Sequence, residues 1–309
     1  MTKPFVKWAG GKTQLLPEIK TALEPLIVTG KSLTYVEPFV GGGAVLFWVV
    51  DTFPNIEKVV INDINPDLVD AYKTIVQEPE SLAIALSQIE KNYYQLKDFE
   101  AKKVFYLEKR QEFNRIKIEA IANESYFTDI ARVKKTVLFI FLNKTCFNGL
   151  YRVNSKGLFN VPFGGNLKPK ICDRDNLLAI SDRLRNADIL QGDFTQTLSY
   201  LSENTVFYID PPYKPISTTA SFTSYTKENF DNSDQIRVKE FCDRIHKAGG
   251  KFISSNSDTK NSDRDPHFFE NLYRDYTIRR VQAKRSINCK GGKRGAISEI
   301  LITNFVFNE

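Results

Sequence analysis

YVEPFVGGGAVLFWVV, residues 35–50, decides the fold. An apolar stretch beginning at Leu33 stops at Glu37, then Phe39, Gly41 and Gly43 alternate before a helix-like AVLFWVV begins at Ala44. Strand, glycine turn and helix in that order are how open α/β sheets bring backbone close to a ligand, because a side chain at the glycines would fill the ligand's space. The glycines do not form a dinucleotide fingerprint, since the third glycine of GxGxxG would fall at Leu46. An acid suited to ribose hydroxyls nevertheless stands at Asp63, twenty positions past Gly43 and at the end of VVIND. Glu37, Phe39, Gly41, Gly43 and Asp63 are therefore candidate contacts for a bound nucleoside. Taken separately, the same features are a tight turn and a surface aspartate. Upstream, KWAGGKT resembles a phosphate-binding loop but lacks the glycine that motif needs at Val6. Its Trp8 and Lys12 offer a flat face and a cation beside closely approaching backbone.

Working outward, short apolar runs ending in polar or glycine-rich turns recur at Leu33–Glu37, Val59–Asp63, Val206–Asp210 and Lys251–Asn256. Such runs are expected of parallel strands buried on both faces. Helical periods lie between them: Val69, Tyr72, Ile75 and Val76; then, past Pro79, Leu82, Leu86, Ile89 and Tyr93; then Val133, Val137 and Phe141. The last helix runs into TCFNGLYRVNSKGLFNVPF, in which two extended runs flank Asn154-Ser155-Lys156-Gly157 and predict a β-hairpin over about 147–163. Asp63 and Asp210 are 147 positions apart, far beyond an ordinary crossover. The reading is a Rossmann-like α/β domain of residues 1–66 and 173–309, interrupted by a mostly helical insert of 67–172 that ends in the hairpin.

At 309 residues and 42% hydrophobic content the chain can bury a large core without staples. Cys146, Cys172, Cys242 and Cys289 are far apart, with no CxxC pair, and His246 and His267 lie near none of them, which argues against a metal site and a disulfide framework. Thiols so spaced suit a reducing cytoplasm. The longest apolar run, Val137–Leu142, is too short to span a bilayer, so no membrane partner is expected. A net charge of +6 is compatible with a polyanionic partner. From Arg279 to Arg294 seven basic residues and no acid surround a Gly-Gly, which reads as a flexible, phosphate-contacting loop with Lys290, Lys293 and Arg294 as contacts, or as a solvated basic loop.

TVFYIDPPY, residues 205–213, carries the chemistry. An apolar strand delivers Asp210, Pro211, Pro212 and Tyr213 at its carboxyl end, where ligands bind in such sheets. The Asp210 carboxylate and the Pro211 carbonyl can accept hydrogen bonds from an amino group, and two prolines fix φ so the loop orders at little entropic cost. Tyr213 can stack on a planar base. An exocyclic amine conjugated to a ring is a poor nucleophile, and acceptors that favour a tetrahedral nitrogen aim its lone pair at an electrophile. Alone, Asp-Pro-Pro-Tyr is also simply a rigid turn; beside Glu37, Gly41, Gly43 and Asp63 that reading loses its force.

With these segments the chain resembles the Dam-type, class D12, DNA adenine-N6 methyltransferases, and looks most like the Dpn-type modification enzymes. The resemblance runs through KWAGGK (7–12), EPFVGGG (37–43), IND (61–63), FNGLYRVN (147–154), FNVPFG (159–164), GDF (192–194), DPPY (210–213), FTSYT (222–226) and SEILITN (298–304). It implies transfer of a methyl group from S-adenosyl-L-methionine to N6 of an adenine extruded from double-stranded DNA. It further implies that Trp8, Lys12, Asp63 and Asp210 contact the donor, that Asp193 and Phe194 border its adenine, and that Lys7, Phe147, Asn148, Leu150 and Arg152 face DNA. Phe147 would wedge beside the target, and Arg152 would clamp guanine O6 and N7. GATC is the expected site, although Gly165-Asn166 stand where familiar members carry arginine and an aromatic. A monomer is expected, with a cognate restriction endonuclease acting on the same site without direct contact. Two rivals stay open: an N4-cytosine methyltransferase, disfavoured by Asp rather than Ser before the prolines, and an inactive DNA-binding regulator, disfavoured because every catalytic position is filled.

Overall fold

The computed structural model describes residues 1–309 except 9, 11, 13–14, 28–31, 54, 123–128, 215–229, 262–264, 285–295 and 308–309. Its elements run α1 (Leu16–Ile27), β1 (Leu33–Glu37), α2 (Ala44–Thr52), β2 (Ile56–Asp63), α3 (Pro66–Gln77), α4 (Pro79–Gln95), α5 (Phe99–Ala122), α6 (Asp129–Thr145), α7 (Arg174–Leu184), β3 (Asp188–Gln191), β4 (Thr205–Ile209), α8 (Asn232–Lys247), β5 (Lys251–Ser257), α9 (Phe268–Leu272), β6 (Thr277–Lys284) and β7 (Ala296–Thr303).

The seven strands form one sheet in the order β3-β2-β1-β4-β5-β7-β6. The first five are parallel, while β7 runs antiparallel to both β5 and β6. This is the expected Rossmann-like α/β architecture, and its strand order reverses direction between β1 and β4, the point at whose carboxyl ends open α/β sheets form the crevice that takes a ligand. Alternation along each strand feeds two cores. Leu33, Tyr35, Val59, Ile61, Val206, Tyr208 and Leu301 pack with α1–α7, whereas Val36, Val60, Phe207, Ile209, Phe252, Ile300 and Ile302 pack with α8 and α9. Helices α4–α6 share the first of these cores with α3 and α7.

Local sequence explains several boundaries. Asn65 caps α3 by accepting from Asp67 N and Leu68 N, and Pro66 occupies the first turn, where its missing N–H costs nothing. Asp231 and Asp234 form a reciprocal capping box on α8. The hairpin is antiparallel but is held by single pairings, Val153 with Phe159 and Cys146 with Phe163, and Gly157 turns at φ 75°. Phe147–Gly149 instead form a 3₁₀ turn, in which Asn148 takes φ 55°.

The basic run departs from the expected loop. Its first part, through Lys284, belongs to β6, and two of its arginines are spent on protein partners. Arg280 bonds Asp258 at 3.1 Å and Glu270, while Arg279 lies 5.1 Å over Phe307. The other part, with Lys290, Lys293 and Arg294, lies outside the described residues, as does FTSYT at 222–226. Among the described residues no helix is long and apolar enough to cross a membrane.

Candidate active site

Four parallel strands end in carboxylates or lead directly to them: Glu37 on β1, Asp63 on β2, Asp193 after β3 and Asp210 after β4. Because these strands are adjacent, their ends meet at the crevice although the residues are scattered over the chain.

On the β1 side the loop 38–43 is closely fitted. Gly41 N donates to Asp63 Oδ2 at 3.0 Å, and Tyr72 Oη donates to Gly41 O at 3.0 Å. Gly43 adopts φ 75°, and a Cβ there would stand 2.6 Å from Tyr72 Oη and 2.8 Å from Phe47, so only glycine fits. A Cβ at Gly41 or Gly42 would come within 3.0 Å of the Trp8 side chain, which therefore lies directly on the loop. Asp63 also accepts from Asn65 N at 2.9 Å. Burial pushes the Asp63 carboxyl up to about 6 against those backbone donors. Glu37, 2% exposed, accepts from Tyr35 Oη at 2.6 Å; burial pushes it up to about 8, the tyrosine bond opposing and the charge of Asp210 adding. Phe39 packs on Phe194 at 5.0 Å between centroids and edge-on to Phe230 at 6.1 Å. Asp193 caps the turn that follows it through Thr195 N and pairs with Arg237 at 2.7 Å, and Arg237 lies over the Phe194 ring.

On the β4 side Asp210 retains about one fifth of its side-chain exposure. It accepts from Ser255 Oγ at 2.8 Å and pairs with Lys12 Nζ at 3.2 Å. Burial raises its carboxyl above the usual range, while Lys12 and Ser255 pull it back. Lys12 Nζ also stands 3.8 Å over the centroid of the Tyr213 ring. Tyr213 Oη donates to Glu299 Oε2 on β7 at 2.8 Å, holding the far end of the ring in place. Gln235 Nε2 donates to Pro212 O at 2.9 Å, Asn256 Nδ2 donates to Gln235 Oε1 at 3.0 Å, and Lys214 N donates to Asn256 Oδ1 at 3.1 Å. The carbonyl of Pro212 is thus engaged within the protein. The sequence reading missed Ser255, Asn256, Gln235 and Glu299. A signal existed: SSNS at 254–257 puts polar residues in a central, fully buried strand, where they need partners.

Lys7 meets the 147–152 segment that carries Phe147, Asn148, Leu150 and Arg152. The stem of Lys7 lies over Gly149, where a Cβ would stand 2.5 Å from Lys7 Cδ. Phe147 is 51% exposed, a large apolar ring left facing water. Arg152 is braced by Asn160, to Oδ1 at 2.8 Å and to the backbone carbonyl at 3.3 Å.

The crevice suits S-adenosyl-L-methionine by its chemistry: carboxylates for a cation and ribose hydroxyls, a glycine loop that admits close approach, and aromatic rings for a purine. Two acceptors and a stacking face at Asp210–Tyr213 suit an amino-substituted base. Comparison with known proteins agrees. Residues 8–287 match the family model described as D12 class N6 adenine-specific DNA methyltransferase. The chain is 46% identical to type II methyltransferase M.MjaIII of Methanocaldococcus jannaschii, over 98% of this chain and 99% of that one. It is 34% identical to M1.LlaDCHI of Lactococcus lactis, over 98% and 95%, and 32% identical to a DNA adenine methylase of Vibrio cholerae, over 97% and 95%. The family's base and atom decide against the N4-cytosine alternative. The chain belongs to the D12 class of N6 adenine-specific DNA methyltransferases, and its reaction is methyl transfer from S-adenosyl-L-methionine to adenine N6 in DNA.

Proposed function

We propose that the target adenine leaves the duplex, at a cost of roughly a few kcal/mol, and enters the Asp210–Tyr213 pocket within GATC or a closely related site. Asp210 and the Pro211 carbonyl hold the N6 amine, Pro212 stiffens the loop and Tyr213 stacks on the base. Trp8, Lys12, Glu37, Phe39, Gly41, Gly43, Asp63, Asp193 and Phe194 hold the donor, which supplies an electrophilic methyl group on its sulfonium. Lys7, Phe147, Asn148, Leu150 and Arg152 engage the duplex, with Lys290, Lys293 and Arg294 on phosphates. Residues 1–66 and 173–309 act as the catalytic body and 67–172 as the target-recognition insert. The enzyme works as a monomer in the cytoplasm. The type II naming of its relatives supports a cognate restriction endonuclease that shares the site without touching the methylase.

One observation carries this reading. A nitrogen donor, Lys12 Nζ, already sits beside the Asp210 carboxylate and above the Tyr213 ring, at 3.2 and 3.8 Å. An extruded adenine would present its NH₂ and ring to the same two groups. Mapping methylated adenines in DNA exposed to the enzyme tests base, atom and context together; N6-methyladenine confined to GATC-like sites is expected. Asp210→Ala should lower the transfer rate by roughly a hundredfold or more. A near-normal rate in that variant would refute the catalytic assignment, and methylation in an unrelated context would refute GATC alone.

A further inference from the structure

Tyr151 carries the one buried side chain larger than glycine's between Phe147 and Arg152. Phe147, Asn148 and Arg152 face solvent, whereas Tyr151 is 7% exposed. Its ring lies on the Trp8 indole, with centroids 5.5 Å apart and planes 29° apart. Its hydroxyl donates to Asp67 Oδ2 at 2.5 Å and accepts from Lys117 Nζ at 3.2 Å.

Each contact leads to a different wall of the cofactor crevice. Trp8 lies on the Gly41–Gly42 backbone. Asp67 opens α3 four residues after Asp63, and Asn65 ties the two together, its N–H on Asp63 Oδ1 and its side chain accepting from Asp67 N. The hydroxyl is not needed to neutralise Asp67, which already pairs with Lys117 at 2.7 Å and Lys135 at 2.8 Å. Nor is it needed to fill space, which phenylalanine would do. What it adds is a fixed register between the hairpin and the β2–α3 loop. A parallel tie exists at Asn143, which accepts from Lys7 N at 2.8 Å and donates to Lys7 O and Gly149 O, each at 2.9 Å. The turn that faces DNA and the residue preceding Trp8 are thereby joined.

We propose that Tyr151 is a positioning residue: duplex seated on residues 147–152 fixes its ring and hydroxyl, which set Trp8 and the Asp63–Asp67 loop and so tighten binding of S-adenosyl-L-methionine. This rests on the placements of donor and duplex proposed above. By linkage the donor tightens duplex binding by the same factor.

The chain has two tryptophans, and Trp48 packs on Phe53 away from this contact. In a Trp48→Phe background, Trp8 emission therefore reports on the crevice. Titrating sinefungin, a non-reactive donor analogue, with and without a short duplex carrying the mapped site should show duplex tightening the analogue on the order of tenfold. Tyr151→Phe should bind the analogue alone within about threefold of its parent, while the tightening falls below about twofold. A merely structural role would weaken both titrations alike and leave their ratio intact. Undiminished tightening in Tyr151→Phe, or none in the parent, overturns the proposal while leaving the site in place. Trp8 emission that ignores sinefungin removes the donor placement itself, and the proposal with it.

Discussion

Glu37→Gln should flatten the dependence of stability on pH. Glu37 is buried at the end of β1, receives one hydrogen bond from Tyr35, and feels the Asp210 charge, so its carboxyl rises from the ordinary 4.5 to about 8. Between those values the folded protein holds a proton that the unfolded chain has released. Stability therefore falls as pH rises through that window, by about 1.4 kcal/mol per pH unit from this group. The raised carboxyl destabilises the fold fully only above its folded value. From about pH 6 to about pH 8 the wild type should lose about 2 kcal/mol through Glu37, since titration is half complete at the upper limit. Glutamine mimics the protonated acid, keeps an oxygen for Tyr35 and cannot titrate. In thermal unfolding the two proteins should have similar Tm at about pH 6, and at about pH 8 the variant should be higher by roughly 3 °C. Contributions common to both, from Asp63 among others, cancel in the difference. A Tm difference that does not change between the two conditions would show that Glu37 is ionised in the fold and would refute the reasoning.

Two further outcomes follow from the geometry. Lys12 is the principal influence lowering the Asp210 carboxyl, so Lys12→Met should raise it, and the acid limb of kcat against pH should move up by about one unit; an unmoved limb would dissociate Asp210 from the titrating group. Arg152→Ala should relax discrimination at one guanine by about 1–3 kcal/mol, measured by competition between the mapped site and single-base variants, whereas uniform weakening across all sequences would move Arg152 to the phosphate backbone.

What the sequence discloses about this molecule is what a single segment can encode. A strand buried on both faces must be apolar along its length, and a ligand at its end demands glycine, proline or a carboxylate there. Glu37, Asp63 and Asp210 were readable for that reason. β3 was not readable, because Asp188–Gln191 is a four-residue edge strand with half-exposed side chains. Nor was β6, whose pairing with β7 uses backbone that the run of arginines and lysines does not announce. Strands at a sheet edge leave one row of N–H and C=O groups to solvent and often carry charged side chains, so charge there is compatible with strand as readily as with loop.

The crevice shows the same division in sharper form. Asp210 needs only its own strand to be recognised, but its ionisation is set by burial against the pull of Lys12 from the N-terminal segment and Ser255 from β5, and the Tyr213 hydroxyl is held by Glu299 from β7. Asp67, Lys117, Lys135 and Tyr151 come from four segments separated by up to 84 positions, and nothing in any one of them predicts that the charges meet. A buried carboxylate is costly unless its partners arrive together, so these residues are constrained as a group rather than as a motif. The groups proposed to touch substrate can therefore be found by reading along the chain, whereas those that set charge and orientation emerge only when the sheet brings distant segments side by side.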